Sequence, residues 1–425
     1  MSAVLTNLLK GVDGILLKDD RFNTTLVTFN FYLPINEKTL AETALLPFVL
    51  SSCCDEYKTS VLLNRRLCAL YGARLSASVS KTLDFLHIRF AISSINNEFA
   101  PGNENVVLKS AELLASLIFA PCVCNGEFLQ KDLDREKRKC KERILSEIND
   151  KRSYARRRLI SEMFKGHPYG LSRYGEIEDV EKITTRSLFN AWERMLRESY
   201  VRIIVSSKDD CSEVFSRAKA AFSAIERTNI PDVCVTGDFV PQKDKLIREN
   251  MDIVQGKIAM GFTSTIKGDA KTAFSLNVMC DLLGGGTYSK FFKNVREKLS
   301  LCYYCSANVS RHIGFMLVES GVEAENKELL KQQVLKELEA MQKGEFSDED
   351  ILSSKLSLTS ALKSYYDSQS ALDNWYAARL LKDDFISPDD LAQIINGITR
   401  EQIIDAAKAV TLSTVYELMP SGETI

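Results

Sequence analysis

The same order of sequence patterns occurs twice along the chain, once before residue 225 and again after residue 250. In each half, a β-rich run and a helix-like stretch lead to an amphipathic helix and two strands joined by a polar turn. The clearest match pairs residues 62–92 with residues 291–322. A tandem repeat of this length predicts two related domains, because each copy has its own strands and helices.

The repeated elements define a fold class. Strands are predicted at residues 24–33 and 253–262, which are rich in β-branched and aromatic residues. Long helices are predicted at residues 132–164 and 348–381, because their many charged residues suit one solvated face. We therefore predict an α+β protein of two homologous domains, each a mainly antiparallel sheet with helices packed on one face.

The boundary between the two domains is predicted at residues 226–250. This stretch contains two prolines, a glycine and scattered charges without clear periodicity, as is typical of an interdomain connector. The predicted domains are residues 1–225 and residues 251–425, with 226–250 as the linker.

Composition and charge exclude several classes of protein. The sequence has 55 Lys and Arg against 57 Asp and Glu, a formal net charge of −2. This charge gives the chain no overall attraction to nucleic acid or to an anionic membrane. No apolar run approaches the ~20 residues of a transmembrane helix, and Lys10 and Asp13 interrupt the apolar stretch that a signal peptide needs. The eleven cysteines, an odd number, favour reduced thiols. We expect a cytoplasmic protein.

The histidines do not form a recognisable metal motif. His87, His167 and His312 are the only ones in the sequence, and none has a Glu or a second His at the spacing that places two zinc ligands on one helix face. We assign no metal ligand among them and interpret all three as structural.

The cysteines are better explained as buried structural residues than as metal ligands or reactive thiols. Cys302 and Cys305 form a CxxC without a second CxxC, which argues against zinc. A thioredoxin-like pair would begin a helix, whereas this one lies in a predicted strand. No histidine is placed to act as a base for a nucleophilic thiol, so we interpret the thiols as buried. The other close pairs are Cys53 with Cys54 and Cys122 with Cys124.

The glycine-rich run LGGGTYSKFF at residues 283–292 lacks the spacing of a phosphate-binding or dinucleotide-binding loop. Two interpretations stay open. The glycines could serve backbone geometry between two helices. Alternatively, the run could border a substrate cleft, because it leads to Arg296 and Tyr303, a cation and a phenol that could together hold a peptide carbonyl.

These motifs carry a family resemblance over essentially the whole chain. With LGGGTYSKFFKNVREKLSLCYY at residues 283–304, HPYGLSRYGEIEDVEKIT at residues 167–184 and the tandem order of domains, the chain resembles the insulinase/pitrilysin family of zinc metallopeptidases. Within that family, ALLPFVL and REKLSLCYY look most like the inactive bacterial branch associated with the 5-aminopentanol modification of elongation factor P.

The resemblance implies that the zinc site has been lost. Active members bind zinc through both histidines of an HxxEH helix, whose Glu is the general base, and through a later Glu. The corresponding helix here resembles ALLPFVLSSCCDEYKT, with Ala44 and Phe48 at the histidine positions and Pro47 at the base. Neither Ala44 nor Phe48 can donate a lone pair, and Pro47 is expected to bend or break the helix. The resemblance therefore implies no catalysis, no metal and no cofactor.

The third zinc ligand of active members has no clear counterpart either. The matching region, residues 135–151, retains Glu142 and Glu147, but an ungapped match places the ligand near Arg143. By contrast, the Arg and Tyr that hold substrate and oxyanion in active relatives match Arg296 and Tyr303. The resemblance thus implies a chain that keeps the substrate side of the site only.

Three functions are considered. The leading hypothesis is a non-catalytic subunit that binds peptide and pairs with a zinc-bearing homologue to form a heterodimeric protease. The alternative is a stand-alone peptide-binding or assembly module without a protease role. An enzyme with different chemistry, centred on Cys53, Cys54 or Cys305, ranks last because no base is identifiable.

Overall fold

The structure, a computed structural model, describes residues 2–82, 84–233, 241, 245–268, 271–380 and 385–421. Its strands are β1 (Ser2–Leu9), β2 (Val12–Lys18), β3 (Thr24–Pro34), β4 (Arg74–Thr82), β5 (Phe85–Ile95), β6 (Val123–Cys124), β7 (Glu127–Phe128), β8 (Tyr200–Ser207), β9 (Lys245–Met251), β10 (Gly256–Ser264), β11 (Cys302–Ser310), β12 (Phe315–Val322) and β13 (Val410–Pro420).

Its α-helices are α1 (Leu40–Leu50), α2 (Ser60–Ala69), α3 (Val106–Phe119), α4 (Gln130–Ser146), α5 (Lys151–Met163), α6 (Ile177–Lys182), α7 (Thr185–Glu198), α8 (Ser212–Ser223), α9 (Ser275–Gly284), α10 (Lys327–Gln342), α11 (Asp348–Ser364), α12 (Gln369–Ala378), α13 (Pro388–Gly397) and α14 (Arg400–Lys408). A π-helix spans Phe291–Lys298. The helix and two strands predicted at residues 62–92 are α2, β4 and β5, and the match at residues 291–322 is the π-helix, β11 and β12.

The chain forms two compact units, and each contains a segment from the other half of the sequence. The first unit comprises Met1–Leu145, Ser172–Cys234 and Asp367–Leu380, and the second comprises Ser146–Leu171, Val235–Tyr366 and Leu381–Ile425. The units therefore differ from the contiguous domains predicted on either side of the linker. The physical cause is the packing of one exchanged helix on each sheet, α12 in the first unit and α5 in the second.

The two sheets share one topology. The first unit has the strand order β1-β2-β8-β3-β5-β4, and the second has β9-β13-β10-β12-β11. Without β1, the two orders correspond strand for strand. Among the described strands of these sheets, β2 with β8 and β9 with β13 are the parallel pairs, and the others are antiparallel. The predicted α+β class with mainly antiparallel sheets is confirmed, and the topology supports the internal repeat.

The long helices predicted at residues 132–164 and 348–381 are each two helices. The first is divided into α4 and α5, and Asp150 caps α5 by accepting hydrogen bonds from two backbone N–H groups. The second is divided into α11 and α12, and Ser368 caps α12 by accepting a hydrogen bond from the Ala371 backbone N–H. Charge patterning did not reveal these breaks, because polar capping residues also suit an exposed helix face. Both breaks lie close to where the chain passes from one unit to the other.

In the first unit, α12 covers the face of the sheet formed by alternate residues of β3. The Tyr32 hydroxyl donates to the Ala377 carbonyl at 2.6 Å, and the Thr28 hydroxyl donates to Asp373 at 2.7 Å. Arg89 on β5 donates to the other oxygen of the Asp373 carboxylate at 2.8 Å, and this carboxylate is fully buried. The helix is thus anchored by a satisfied buried charge as well as by packing.

In the second unit, α5 occupies the corresponding place. Arg156 donates through Nε and Nη2 to the two oxygens of the buried Glu319 on β12, at 3.0 and 2.8 Å. The exchanged helix thus carries the carboxylate of the ion pair in the first unit and the guanidinium in the second. The apolar residues packed in this interface are Ala155, Leu159, Met163, Phe164, Ala259, Phe315, Leu317, Tyr416 and Leu418.

The opposite face of the first sheet packs against other helices. Phe29 lies 6.3 Å from Phe119 on α3, and Phe31 lies 6.2 Å from Phe222 on α8, measured between ring centroids. Residues 25–33 of β3 are consequently all buried. The sequence predicts helices on one face of each sheet. The structure has in addition one exchanged helix, which covers the second face.

The predicted connector ends in regular structure. Residues 245–251 form β9, an edge strand that pairs in parallel with β13. Its residues alternate between exposed and half-buried positions, and its charged side chains suit a sheet edge. Residues 234–240 and 242–244 of the connector lie outside the described residues.

The glycine-rich run begins at a close helix–strand contact. Gly284, the last residue of α9, packs against β11, and a Cβ atom there would lie 2.5 Å from the backbone nitrogen of Ala307. No side chain fits at that distance without a shift of backbone. Packing therefore accounts for this glycine without a ligand.

Candidate functional site

Helix α1 places the positions of the expected zinc motif in the first unit. Ala44 is fully buried, Phe48 lies one turn later and is half-buried, and α1 continues to Leu50. The prediction that the helix breaks at Pro47 is therefore wrong. The Pro47 carbonyl still accepts the Ser51 N–H at 3.1 Å. We attribute the intact helix to burial, since almost every residue of α1 is buried and this can offset the ~3 kcal/mol of an internal proline.

The position expected for the third ligand carries a cation that contacts this helix. The Arg143 guanidinium on α4 lies 4.1 Å from the centroid of the Phe48 ring. This is a cation–π contact, worth about 0.5–2 kcal/mol. Sequence reasoning missed it, because nothing in either segment indicates that the two side chains meet.

This arrangement does not fit a zinc ion. Ala44 and Phe48 offer no ligand atom, and the Arg143 charge would repel a divalent cation. Glu142 is exposed, and Glu147 lies 3.7 Å from Arg157. Within the described ranges, no group of three or more His, Cys, Asp or Glu is arranged to hold a metal.

The cation–π contact leads to a test of the zinc-site assignment. We expect the A44H/F48H variant to retain no zinc after gel filtration, because Arg143 still places a positive charge beside the two imidazoles. Adding Arg143→Glu should raise zinc binding by at least tenfold, since a carboxylate replaces that charge. Metal analysis of the purified variants measures this, with circular dichroism as the control for folding. Stoichiometric zinc in the variant that keeps Arg143 would contradict the electrostatic argument.

His167 and His312 each contact a residue close to them in the sequence. His167 Nδ1 accepts the Tyr169 backbone N–H at 3.1 Å and so caps a short 3₁₀ turn. His312 lies in a turn, with its Nδ1 3.5 Å from Arg311 Nη1. Both contacts agree with the structural interpretation.

His87 is buried in the first unit. Its Nε2 lies 2.9 Å from Asn30 Oδ1, its Nδ1 lies 3.3 Å from the Ser80 hydroxyl, and its ring stacks on Tyr32 at 4.6 Å. Burial, together with two nearby arginines, lowers the pKa of His87 to about 3. The folded protein therefore keeps this imidazole neutral, whereas the unfolded chain protonates it below a pH of about 6.5.

This difference in pKa predicts a pH dependence of stability. The unfolded state binds the extra proton between pH 6.5 and 3, so the contribution of His87 is lost as the pH falls through that window. From pH 7 to pH 5, we expect a loss of about 2 kcal/mol. His87→Gln removes the titrating group, and urea unfolding at both pH values should show a smaller loss by that amount. Equal losses for both proteins would show that His87 titrates normally.

Arg296 and Tyr303 lie together in the second unit. The π-helix carries Arg296 and β11 carries Tyr303, and both line an open cavity of about 400 Å³. Arg296 is 45% exposed in its side chain and lies 3.5 Å from its neighbour Glu297, and Tyr303 is 78% exposed. The other lining residues are Gln255, Glu297, Ser300, Leu301, Cys302 and Glu323.

A β-bulge positions Tyr303. In the pairing of β11 with β12, Cys302 is opposite Val322 and Tyr304 is opposite Gly321, so Tyr303 is the extra residue. Bulges commonly redirect a side chain next to a functional site. The CYYC segment is a strand as predicted, but the bulge was not evident from its sequence.

The cysteine pairs differ in their surroundings. Cys53 and Cys122 are buried in the first unit, where the Cys122 thiol donates to the Cys54 carbonyl at 2.9 Å. Cys302 and Cys305 are partly exposed. The interpretation of the thiols as buried therefore holds for Cys53, Cys54 and Cys122, but not for Cys124, which is exposed, or for the partly exposed residues of the CxxC. The Cys305 thiol donates a hydrogen bond to Cys302, and this bond, with the Arg296 charge nearby, lowers the pKa of Cys302 to about 7.

Comparison with known proteins identifies the class that this fold defines. A family model described as the peptidase M16 inactive domain matches residues 182–358. The chain is 30% identical over 408 residues to "Probable inactive metalloprotease YmfF" of Bacillus subtilis (strain 168), with 96% of each chain covered. The chain belongs to the M16 metallopeptidase family, as a homologue of its inactive members.

Solved structures share this fold. A conserved protein from Enterococcus faecalis V583 matches with a TM-score of 0.91 and 25% identity over 100% of both chains. A peptidase M16 inactive domain from Pseudomonas fluorescens has the same fold, with a TM-score of 0.78 and 15% identity over 100% of this chain and 99% of that one. The family resemblance is confirmed. The finer likeness to the branch associated with elongation factor P stays a prediction.

None of the helices in the described ranges combines the length and the apolar character that a bilayer crossing requires.

Proposed function

We propose that this chain is a non-catalytic cytoplasmic subunit that binds peptide at Arg296 and Tyr303 and pairs with a zinc-bearing homologue to form a heterodimeric protease. The observation that carries the proposal is the 78% exposure of Tyr303 beside the 45% exposed Arg296, on the wall of one cavity. A packing role would bury these side chains.

The chemistry of the two residues suits a peptide. Arg296 offers several N–H donors and Tyr303 one O–H donor, and both can point at a carbonyl or an oxyanion. The exposed phenol ring also presents apolar area that a bound side chain would cover. Tyr303 lies on β11, an edge strand of its sheet, where an extended peptide can add backbone hydrogen bonds.

The need for a partner follows from what the zinc position contains. Ala44 and Phe48 offer no ligand, and Arg143 lies against Phe48. A protease role for this chain therefore requires a metal and a general base from another protein. A zinc-bearing homologue is the partner that the family resemblance favours.

Affinity purification of the tagged protein from its native cell, followed by mass spectrometry, tests the pairing. We expect a homologue with an HxxEH motif at near-stoichiometric level. An untagged strain and an unrelated tagged protein of similar abundance are the controls. If no such homologue is recovered and the purified chain binds peptide alone, the protease role fails and the stand-alone peptide-binding module replaces it.

A further inference from the structure

The β-bulge in β11 brings two thiols to one face of the sheet. In a regular strand, residues three apart point to opposite faces. Here Cys302 is opposite Val322 and Cys305 is opposite Ser320, and these two partners are two residues apart on β12. Cys302 and Cys305 therefore face the same side, and their thiols share a hydrogen bond.

The spacing of this pair suits a disulfide. Positions two residues apart on a strand have Cα atoms about 6.6–6.8 Å apart. That is the upper end of the ~4.4–6.8 Å range found across disulfides. Closing the bond requires only a small local adjustment, and an accessible disulfide at this limit should be easily reduced.

The surroundings make one thiol reactive. Cys302 is partly exposed and lines the open cavity that contains Arg296, so we expect a small reagent to reach its sulfur. The hydrogen bond from Cys305 and the Arg296 charge both favour the Cys302 thiolate. Burial instead raises the pKa of Cys305, which therefore keeps its proton until Cys302 has reacted. Cys302 is thus the attacking thiol and Cys305 the resolving one.

We propose that Cys302 and Cys305 form a dithiol–disulfide pair that is oxidised by low-molecular-weight disulfides. The Cys302 thiolate attacks one sulfur of the reagent, whose S–S bond breaks and releases one thiolate. Cys305 then loses its proton to solvent and attacks the Cys302 sulfur, releasing the second thiolate. Two cysteine thiols lose two electrons in total, and the reagent is reduced to two thiols. This inference does not depend on peptide binding.

The chain contains its own control pair. Cys53 and Cys122 are also close enough to influence each other's ionisation, but both are buried, and burial is the largest cause that raises the pKa of Cys122 to about 12. Their thiols donate instead to Asp132 and to the Cys54 carbonyl. Both pairs therefore bring two thiols near each other, whereas access and thiolate formation differ. If proximity alone decided reactivity, both pairs would oxidise.

The test uses the full-length folded protein, glutathione disulfide as the reagent, and mass spectrometry of the intact chain and its peptides. We expect the peptide map of wild type to show a disulfide between Cys302 and Cys305, with the loss of two hydrogens from that pair. Cys305→Ser should accumulate a mixed disulfide with glutathione on Cys302. Cys302→Ser should react at least tenfold more slowly. The reaction rate of Cys302 should reach half its maximum near pH 7, where its thiolate forms.

The outcomes separate clearly. The proposal is overturned if no Cys302–Cys305 disulfide forms, if Cys53 and Cys122 oxidise first, or if Cys302→Ser reacts as fast as wild type. A half-maximal rate near pH 9 would overturn the assignment of Cys302 as the attacking thiolate. Circular dichroism of each variant verifies that the measured protein is folded.

Discussion

We expect Asp373→Ala to lower the free energy of unfolding by about 3–5 kcal/mol, the largest stability effect that we predict for a single substitution. Asp373 is fully buried, and its carboxylate accepts hydrogen bonds from Arg89 and Thr28. Removing it leaves the Arg89 guanidinium, which is only 11% exposed, without its buried counter-ion. Urea unfolding measures the change, and Asp373→Asn provides a milder variant if the alanine protein does not fold.

The matched control is an exposed ion pair. Asp55 lies 3.7 Å from Lys58, and both side chains are more than two-thirds exposed. Asp55→Ala should therefore change the stability by no more than about 0.5 kcal/mol. If Asp373→Ala proved equally mild, α12 would not be anchored by this carboxylate. Replacing both Arg89 and Asp373 by leucine should cost less than Asp373→Ala, because no charge is then left unpaired.

The second large effect concerns activity. In the complex with the zinc-bearing partner, we expect Arg296→Ala to reduce kcat/KM for peptide cleavage by more than tenfold. An oriented charge at the substrate or oxyanion acts on the transition state, where losing one donor typically costs about 10²–10³-fold. The measurement is cleavage of a fluorogenic peptide by the purified complex. Its zinc content should not change, because Arg296 is not a ligand.

Lys298→Ala is the control for this substitution. Lys298 lies two residues later on the same π-helix and is also exposed, but it lines a different cavity. The substitution Lys298→Ala therefore removes a positive charge from the same helix without altering the cavity at Tyr303. Equal losses for both variants would point to a general charge effect, and no loss for Arg296→Ala would contradict the proposed shared site.

Helix exchange gives the internal repeat a structural meaning. Each sheet is completed by a helix from the other half of the sequence, and each exchanged helix is anchored by an ion pair with a buried carboxylate. In the first unit, Asp373 on the helix meets Arg89 on the strand. In the second, Arg156 on the helix meets Glu319 on the strand. The reversed charges would disfavour packing each helix on the other sheet, because like charges would then lie side by side, and in the case of Asp373 and Glu319 both would be buried.

The candidate site was only partly predictable. The motif around Arg296 and Tyr303 identified the two residues, and the structure places both on one cavity. Their roles stay predictions. The contact of Arg143 with Phe48 was not predictable, because it joins residues almost a hundred positions apart. The bulge at Tyr303 was missed as well, since no single residue type specifies a bulge.

The sequence by itself determined the internal repeat of a helix followed by two strands, the α+β class and the absence of HxxEH. These follow from local periodicity and residue type, which are properties of short segments. Tertiary structure alone decided which sheet each of α5 and α12 completes, that α1 continues past Pro47, and that Cys302 and Cys305 share a face. The reason is that each of these depends on contacts between distant segments, whose burial outweighs local preference.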